Sequence, residues 1–447
     1  MSFIGSLSAF ISQPFCPNFH MPCSRAYNSV LLFLVISFIT PLATAQEKAK
    51  WWKGNLHTHT LWSDGDDYPE MIVNWYKDQG YNFVALSDHN VLLEGTKWVA
   101  ITNTPKKQEA FKRYLDTFGS NWVVQRSLDG VQQVRLKTLT EFRGYFEEPE
   151  RFLLVPSEEL SDAYKKIPIH LNVSNIRELI KPQKGTNVLD VIQRNIDAVV
   201  EQRKKTGQPM MVHVNHPNFG WAITAEVLMR VERDRFFEVY NGHGDVKNAG
   251  DKYHASVERV WDILLTFRLA ELGLPAMYGL AVDDSHNYLK LGPAQHNPGR
   301  GWIMVRAAKL NPAALFEAME KGDFYASTGV RLNDVQRAAD HMALSISGET
   351  NVTYVTQFIG TRKGFDPSSR PGPQPTNSLN AVTRLYSDDI GEVLAVAPGL
   401  NPTYKFKGDE IYVRAKVISS KKRSFPHPPT EEEVAWVQPV VPESRKP

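Results

Sequence analysis

The chain has 447 residues, of which 42% are hydrophobic, 11% aromatic and 22% charged, enough apolar material for a sizeable core and too much for general disorder. Its 51 Lys and Arg nearly balance 49 Asp and Glu, for a formal charge of +2, which argues against nucleic-acid binding driven by overall charge. Both cysteines, Cys16 and Cys23, fall before residue 46, so the rest of the chain has neither a disulfide framework nor a thiolate metal site.

Residues 1–45 have the order of an export signal. One basic residue, Arg25, precedes an apolar run from Val30 to Ile39, and Ala43-Thr44-Ala45 supplies a cleavage site before Gln46. The apolar run is short for a membrane span. The reading is an exported protein, periplasmic or secreted, with no stable membrane span once the signal is removed. The long stretch before Arg25 also fits a start at Met21, and an uncleaved anchor is the alternative.

From Trp51 to about Val305, apolar strands alternate with amphipathic helices. Strand signals fall at Lys53–Leu56, Phe83–Leu86, Leu153–Pro156, Ile169–Val173, Met210–Val214, Phe236–Tyr240, Met277–Val282 and Trp302–Val305. Helices are predicted over 68–79, 187–207 and 256–272, the second capped by Asn187 and stopped by Gly207. This alternation predicts an α/β fold whose largely parallel sheet closes into a barrel. The barrel domain is placed at 46–310, with an insertion at 91–151 that is part helical (107–118) and part strand-like (122–135). A helix at 311–321 follows. Strand-like segments then run to about 417, predicting an all-β accessory domain at 311–420. The proline-rich, charged residues 421–447 read as an extended arm or loose tail.

Six of the 13 histidines cluster at strand ends: His57 and His59 after the first strand, His89 after the second, His170 at the fourth, His216 after the fifth and His286 after the seventh. Asp64, Glu158, Glu159 and Asp284 accompany them. In a parallel β/α barrel such ends form one rim, where distant residues converge. Residues two apart in a strand share a face, which lets His57 and His59, and likewise Asp284 and His286, reach the same side. Imidazole and carboxylate without thiolate suit zinc, manganese or iron, and the count exceeds the needs of one ion. Duller readings stand beside these: Asp64 as a turn former, His170 as a core histidine, His213 as a packing or supporting residue. His243, on the same rim, is a substrate or metal contact. Glu238 is left unassigned, and His254, His296, His341 and His427 have no motif context.

The ordered set N-L-H-T-H-T-x-x-S-D-G, S-D-H, P-S-E-E-L, H-L-N, N-H-P-N and D-D-S-H resembles the PHP (polymerase and histidinol phosphatase) superfamily of metal-dependent phosphoesterases, over about Trp51 to Asn287. The resemblance implies a distorted barrel of about seven strands. It further implies that His57, His59, Asp64, His89, Glu159, His170, His216, Asp284 and His286 ligate two or three divalent metals. Glu159 is preferred to Glu158 because Leu160 and Ser161 follow it as in the family. The expected chemistry is hydrolysis of a small phosphate ester by a metal-activated water, with Asp88 and His286 as candidates to move protons and His243 to contact substrate. Asp88 is also a candidate to orient a ligand histidine. No specific nucleic-acid partner is indicated. Two rivals remain: an amide or lactone hydrolase with similar ligands, and a non-catalytic metal- or ligand-binding module.

Overall fold

The computed structural model describes residues 49–442 apart from 103, 376–379 and 428–429; the export-signal segment and both cysteines lie outside the described residues. The strands of the main sheet are β1 (Lys50–Asn55), β2 (Phe83–Leu86), β3 (Leu153–Tyr164), β4 (Ile167–Ser174), β5 (Met211–Val214), β6 (Phe236–Asn241), β7 (Tyr278–Val282), β8 (Trp302–Ala307), β9 (Phe324–Ser327), β10 (Tyr354–Arg362), β11 (Glu392–Pro398), β12 (Glu410–His427) and β13 (Thr430–Val440). Their order is β7-β6-β5-β4-β3-β2-β1-β8-β9-β13-β12-β10-β11. The fold is mixed α/β and rich in sheet.

The expected parallel sheet is only partly present. β1, β2 and β3 pair in parallel, as do β5, β6 and β7, whereas β4 runs against both of its neighbours. β3 and β4 form a hairpin with no crossover helix between them, and that single reversal keeps the other six strands in one direction. Within the named strands β7 pairs with β6, and β8 pairs with β1 and β9. Just past their ends β1 and β7 also meet: Thr58 and Ser285 form an isolated parallel bridge, with the Asp284 amide donating to the His57 carbonyl and the His59 amide to the Ser285 carbonyl, each at 3.0 Å. Gly54 lets β1 and β2 approach: a Cβ there would lie 2.1 Å from the Phe83 ring.

Helices cover the sheet through their apolar faces. The longer ones are α1 (Pro69–Asp78), α2 (Pro105–Phe118), α3 (Leu139–Phe146), α4 (Val188–Thr206), α5 (Val257–Ala270) and α6 (Pro312–Glu320), with a single turn at Ala225–Leu228 besides. Asn187 caps α4 by accepting from the Asp190 amide (3.0 Å), and Ser256 caps α5 through Arg259 (3.2 Å). Ile192, Ile196 and Val199 of α4 join Val212, Val214 and Phe237 of the sheet and Trp261 and Leu265 of α5 in one buried cluster. The insertion is a helix pair, α2 and α3, with a three-stranded antiparallel sheet of Lys97–Ala100, Gln125–Leu128 and Val131–Leu136.

The C-terminal strands continue the main sheet. β9 pairs with β8 and β13, and β13 lies between β9 and β12. Residues 421–447, expected as an arm or tail, therefore include an interior strand: Val434, Ala435, Trp436 and Val437 are all buried. Flanking glutamates and prolines hide that strand in the composition, because an interior strand is apolar on both faces only over its central residues. No helix among the described residues is long and apolar enough to cross a membrane.

Candidate metal centre

The shared direction of β1, β2, β3, β5, β6 and β7 brings their C-terminal ends to one side. β4 begins at that same side because it is reversed, which carries His170 there. Around this rim the structure assembles all nine residues expected as ligands.

Glu159 is the hub. Its Oε1 accepts from Asn215 Nδ2 (2.8 Å) and lies 3.0 Å from His170 Nδ1, 3.3 Å from His216 Nε2 and 3.4 Å from His57 Nε2. Its Oε2 lies 2.8 Å from His89 Nδ1 and 3.4 Å from His59 Nε2. Asp284 forms a second bridge, with Oδ1 3.3 Å from His57 Nε2 and 3.2 Å from His59 Nε2. It takes the left-handed backbone (φ 50°), a conformation that Asp tolerates better than most residues. Asp64 closes the outer side, 3.5 Å from His59, 3.4 Å from His286 and 3.6 Å from His89. His286 stacks on His59 with ring centroids 4.0 Å apart.

These contacts leave the cluster incomplete. His57 Nε2, His59 Nε2 and Glu159 Oε2 are buried and lack hydrogen-bond partners, an arrangement that is costly unless something further engages them. Burial alone would raise the pKa values of Glu159 and Asp284, yet the surrounding imidazoles hold both well below the usual carboxylate range. Burial likewise lowers that of His89, but Glu159 and Asp64 reverse it, to about 11. His59, desolvated and facing His286, falls to about 3. Carboxylates of this kind call for cations, and donor atoms of His59, Asp64, His89 and His286, of His57, Glu159 and His216, of His57, His59 and Asp284, and of His89, Glu159 and His170 each lie within 4.8 Å of one another. Imidazole and carboxylate donors with no thiolate fit divalent ions of the zinc, manganese or iron type.

Comparison with known proteins adds a broad likeness. Similar solved structures include a two-domain protein from Bacteroides vulgatus described as containing a predicted PHP-like metal-dependent phosphoesterase. It shares 14% identity, 88% of this chain and 96% of that chain are covered, and the TM-score is 0.35. PsfC from Pseudomonas syringae shares 14% identity over 57% of this chain and 82% of its own, with a TM-score of 0.28. A candidate metal-dependent phosphoesterase from Bifidobacterium adolescentis shares 14% over 52% and 87%, with a TM-score of 0.26. No protein-family model and no curated relative matches the sequence.

Asp88 does not face the cluster. Its Oδ1 accepts from the Thr60 amide (2.8 Å) and Ser63 Oγ (2.6 Å), and its Oδ2 accepts from Thr60 Oγ1 (2.9 Å). It holds the loop that carries Asp64 and, contrary to expectation, touches no histidine directly; the Ser63 hydroxyl it fixes lies 3.4 Å from His59 Nδ1, so it bears on the orientation of that ring only through Ser63. Glu158 faces away from the histidines, as successive strand residues must. It accepts from the Ile180 amide (2.8 Å), and burial pushes its pKa up to about 8.

Glu238, unassigned from sequence, is central. Its Oε1 accepts from His57 Nδ1 (2.7 Å) and His213 Nε2 (3.2 Å). Its Oε2 accepts from the His216 amide (2.7 Å) and Asn241 Nδ2 (2.8 Å). A carboxylate so placed fixes the His57 proton on Nδ1 and leaves Nε2 free to ligate. The available signal was a lone acid in the apolar run Phe236-Phe237-Glu238-Val239-Tyr240, where a buried charge has to be paired. His213 thus supports the site through Glu238. His243 stands on the rim as expected, its ring 5.2 Å from that of His286. A cavity of about 590 Å³ lined by Leu86, Arg143, Leu154 and Ile176 lies elsewhere and includes none of these histidines.

Proposed function

We propose that the chain is a PHP-like metal-dependent phosphoesterase, exported on a cleaved signal at 1–45, that hydrolyses a small phosphate ester at a multinuclear site. On this reading β1–β7 act as a distorted barrel and the C-terminal strands brace it. The observation that carries the proposal is Glu159, a buried carboxylate whose two oxygens face five imidazoles supplied by residues on or just after β1, β2, β4 and β5, beside imidazole nitrogens that have no partner.

Two or three divalent ions of zinc, manganese or iron would be held by His57, His59, Asp64, His89, Glu159, His170, His216, Asp284 and His286. When bound, such ions supply positive charge for the phosphoryl oxygens and acidify water toward neutral pH. The chain's own residues do the remaining work. Glu238 holds the Nδ1 proton of His57. Asp88 and Ser63 fix the loop that presents Asp64. Protons released during hydrolysis leave through the open side of the site, where the side chains of Asp64, His89 and His286 are 55%, 29% and 14% exposed. No protein nucleophile is required.

Elemental analysis of the purified protein, joined to a panel of phosphomonoesters, phosphodiesters, amides and lactones, tests the proposal. More than one equivalent of transition metal and turnover confined to phosphate esters is the expected result. Turnover of amides or lactones alone, or metal without turnover, would overturn it.

A further inference from the structure

We infer that His243 and His296 together form a two-pronged hydrogen-bond donor for the phosphoryl oxygens of the substrate, an element that rests on the phosphoesterase reading above. The two imidazoles lie face to face, with ring centroids 3.6 Å apart and planes within 2°. The loop after β6 sets the proton on each ring. The Gly244 amide donates to His296 Nδ1 (3.0 Å), and the next amide, that of Asp245, donates to His243 Nδ1 (3.2 Å). A ring nitrogen that accepts a hydrogen bond carries no proton, so each ring is the neutral tautomer with its N–H at Nε2. Among the described residues, nothing accepts from either Nε2–H.

The pair is built into the site. The His296 carbonyl accepts from the amides of His286 and Asn287, each at 2.9 Å, which ties its loop to the strand end that carries Asp284. The His243 ring lies 5.2 Å from that of His286 and 6.1 Å from that of Phe219, which itself packs on His216. Gly244 is what allows the stack, since a Cβ there would stand 3.3 Å from His296 Nδ1 and Cε1. Two parallel imidazoles at this separation suit the uncharged form, because two cations would repel. Paired neutral N–H donors beside a cation cluster match the neighbouring oxygens of a tetrahedral oxyanion. The pair therefore adds directional recognition to charge that the cluster provides.

The test uses His243→Phe and His296→Phe, which keep a flat ring in the stack without a donor, and His296→Gln, which returns an N–H near the position of Nε2. Metal content, the dissociation constant for inorganic phosphate on the metal-loaded protein, and KM and kcat are measured for each. Metal content should be unchanged, and phosphate should bind about tenfold more weakly to each Phe variant, the loss of one hydrogen bond to a charged group. His296→Gln should recover most of that loss, and Gly244→Ala, which displaces the ring without deleting it, should weaken phosphate binding in the same direction. Phosphate affinity equal to wild type in both Phe variants of an active enzyme overturns the inference and leaves the hydrolase reading intact. Loss of metal from His243→Phe also overturns it, because that ring would then be a ligand. Metal-loaded wild-type protein that neither binds phosphate nor hydrolyses esters overturns the hydrolase reading itself, and this inference with it.

Discussion

Two buried groups of charges sit in this molecule and are built on opposite plans. Where α5 meets β12, Arg414 Nε and Nη2 each donate to an oxygen of Asp262 at 2.7 Å, and Tyr412 Oη donates to the same carboxylate at 2.9 Å. The guanidinium also lies 4.9 Å from the Trp261 ring centre, and Lys416 pairs with Glu258 at 2.6 Å beside it. At the rim, by contrast, Glu159 and Asp284 meet His57 and His59 at 3.2–3.4 Å, and both imidazoles keep an unpartnered Nε2. The seam matches its carboxylates with its own cations at 2.6–2.7 Å and leaves one buried donor, Arg414 Nη1, without a hydrogen bond, 4.0 Å from Glu258. The rim stops short of that match. A buried carboxylate met by a guanidinium holds structure together, whereas buried carboxylates ringed by imidazoles with several unpartnered nitrogens call for a further ligand.

Glu159→Gln is the sharpest way to break the contrast. It keeps the volume of the hub and removes its charge, so it should lose both metal and hydrolysis by more than the roughly 100-fold that loss of an orienting partner costs. Elemental analysis and turnover decide it, and unchanged metal content would remove the basis of the site. Arg414→Ala attacks the other group. It leaves Asp262 buried without its counter-ion, so stability should fall by about 3–5 kcal/mol, read from urea unfolding, while the folded protein still takes up metal. Metal loss at low denaturant in that variant would mean that seam and rim are not separable. Glu238→Gln falls between the two. It frees the His57 tautomer without removing a ligand, so metal affinity should drop roughly 10–100-fold and recover when the metal concentration is raised.

The same contrast explains what could be read in the sequence. His57, His59, His89, His216, Asp284 and His286 stand at or just past strand ends within short motifs, and each reaches the rim. Glu238 escaped because its partners, His57, His213, His216 and Asn241, come from three segments that only the sheet brings together. His296 escaped because its neighbours Gly244 and His286 are set by the fold of a loop rather than by spacing. The strand expected at Leu153–Pro156 continues to Tyr164; Glu159 and Ser161 face the site there, so polar residues interrupt the apolar alternation that would have revealed its length. Of the C-terminal strands, β10, β11 and the start of β12 were legible as strands, whereas β9, β13 and the membership of all five in the main sheet were not. That membership depends on pairings such as Ala326 with Trp436, more than a hundred residues apart, which no local periodicity encodes. Truncation after Val330 would accordingly remove β13 from beside β9, and such a protein should not remain folded.

Asp67 tests the contrast at its weakest point. It is a buried acid between the rim loop and α2, with Arg113 at 3.3 Å as its cation and Asp66 and Glu70 as like-charged neighbours. Burial, only partly offset by the Tyr68 amide and Arg113, pushes its pKa up to about 7 from 3.8. Between those two values the folded chain keeps a proton that the unfolded chain has released, so raising the pH favours unfolding, and the effect levels off above pH 7. Asp67→Asn has no proton to release. Measured by urea unfolding, the wild type should lose about 1 kcal/mol relative to Asp67→Asn between pH 6 and pH 8, most of it below pH 7. A difference that stays constant over that interval would show that Arg113 neutralises Asp67 as fully as Arg414 neutralises Asp262, and Asp67 would then belong with the seam.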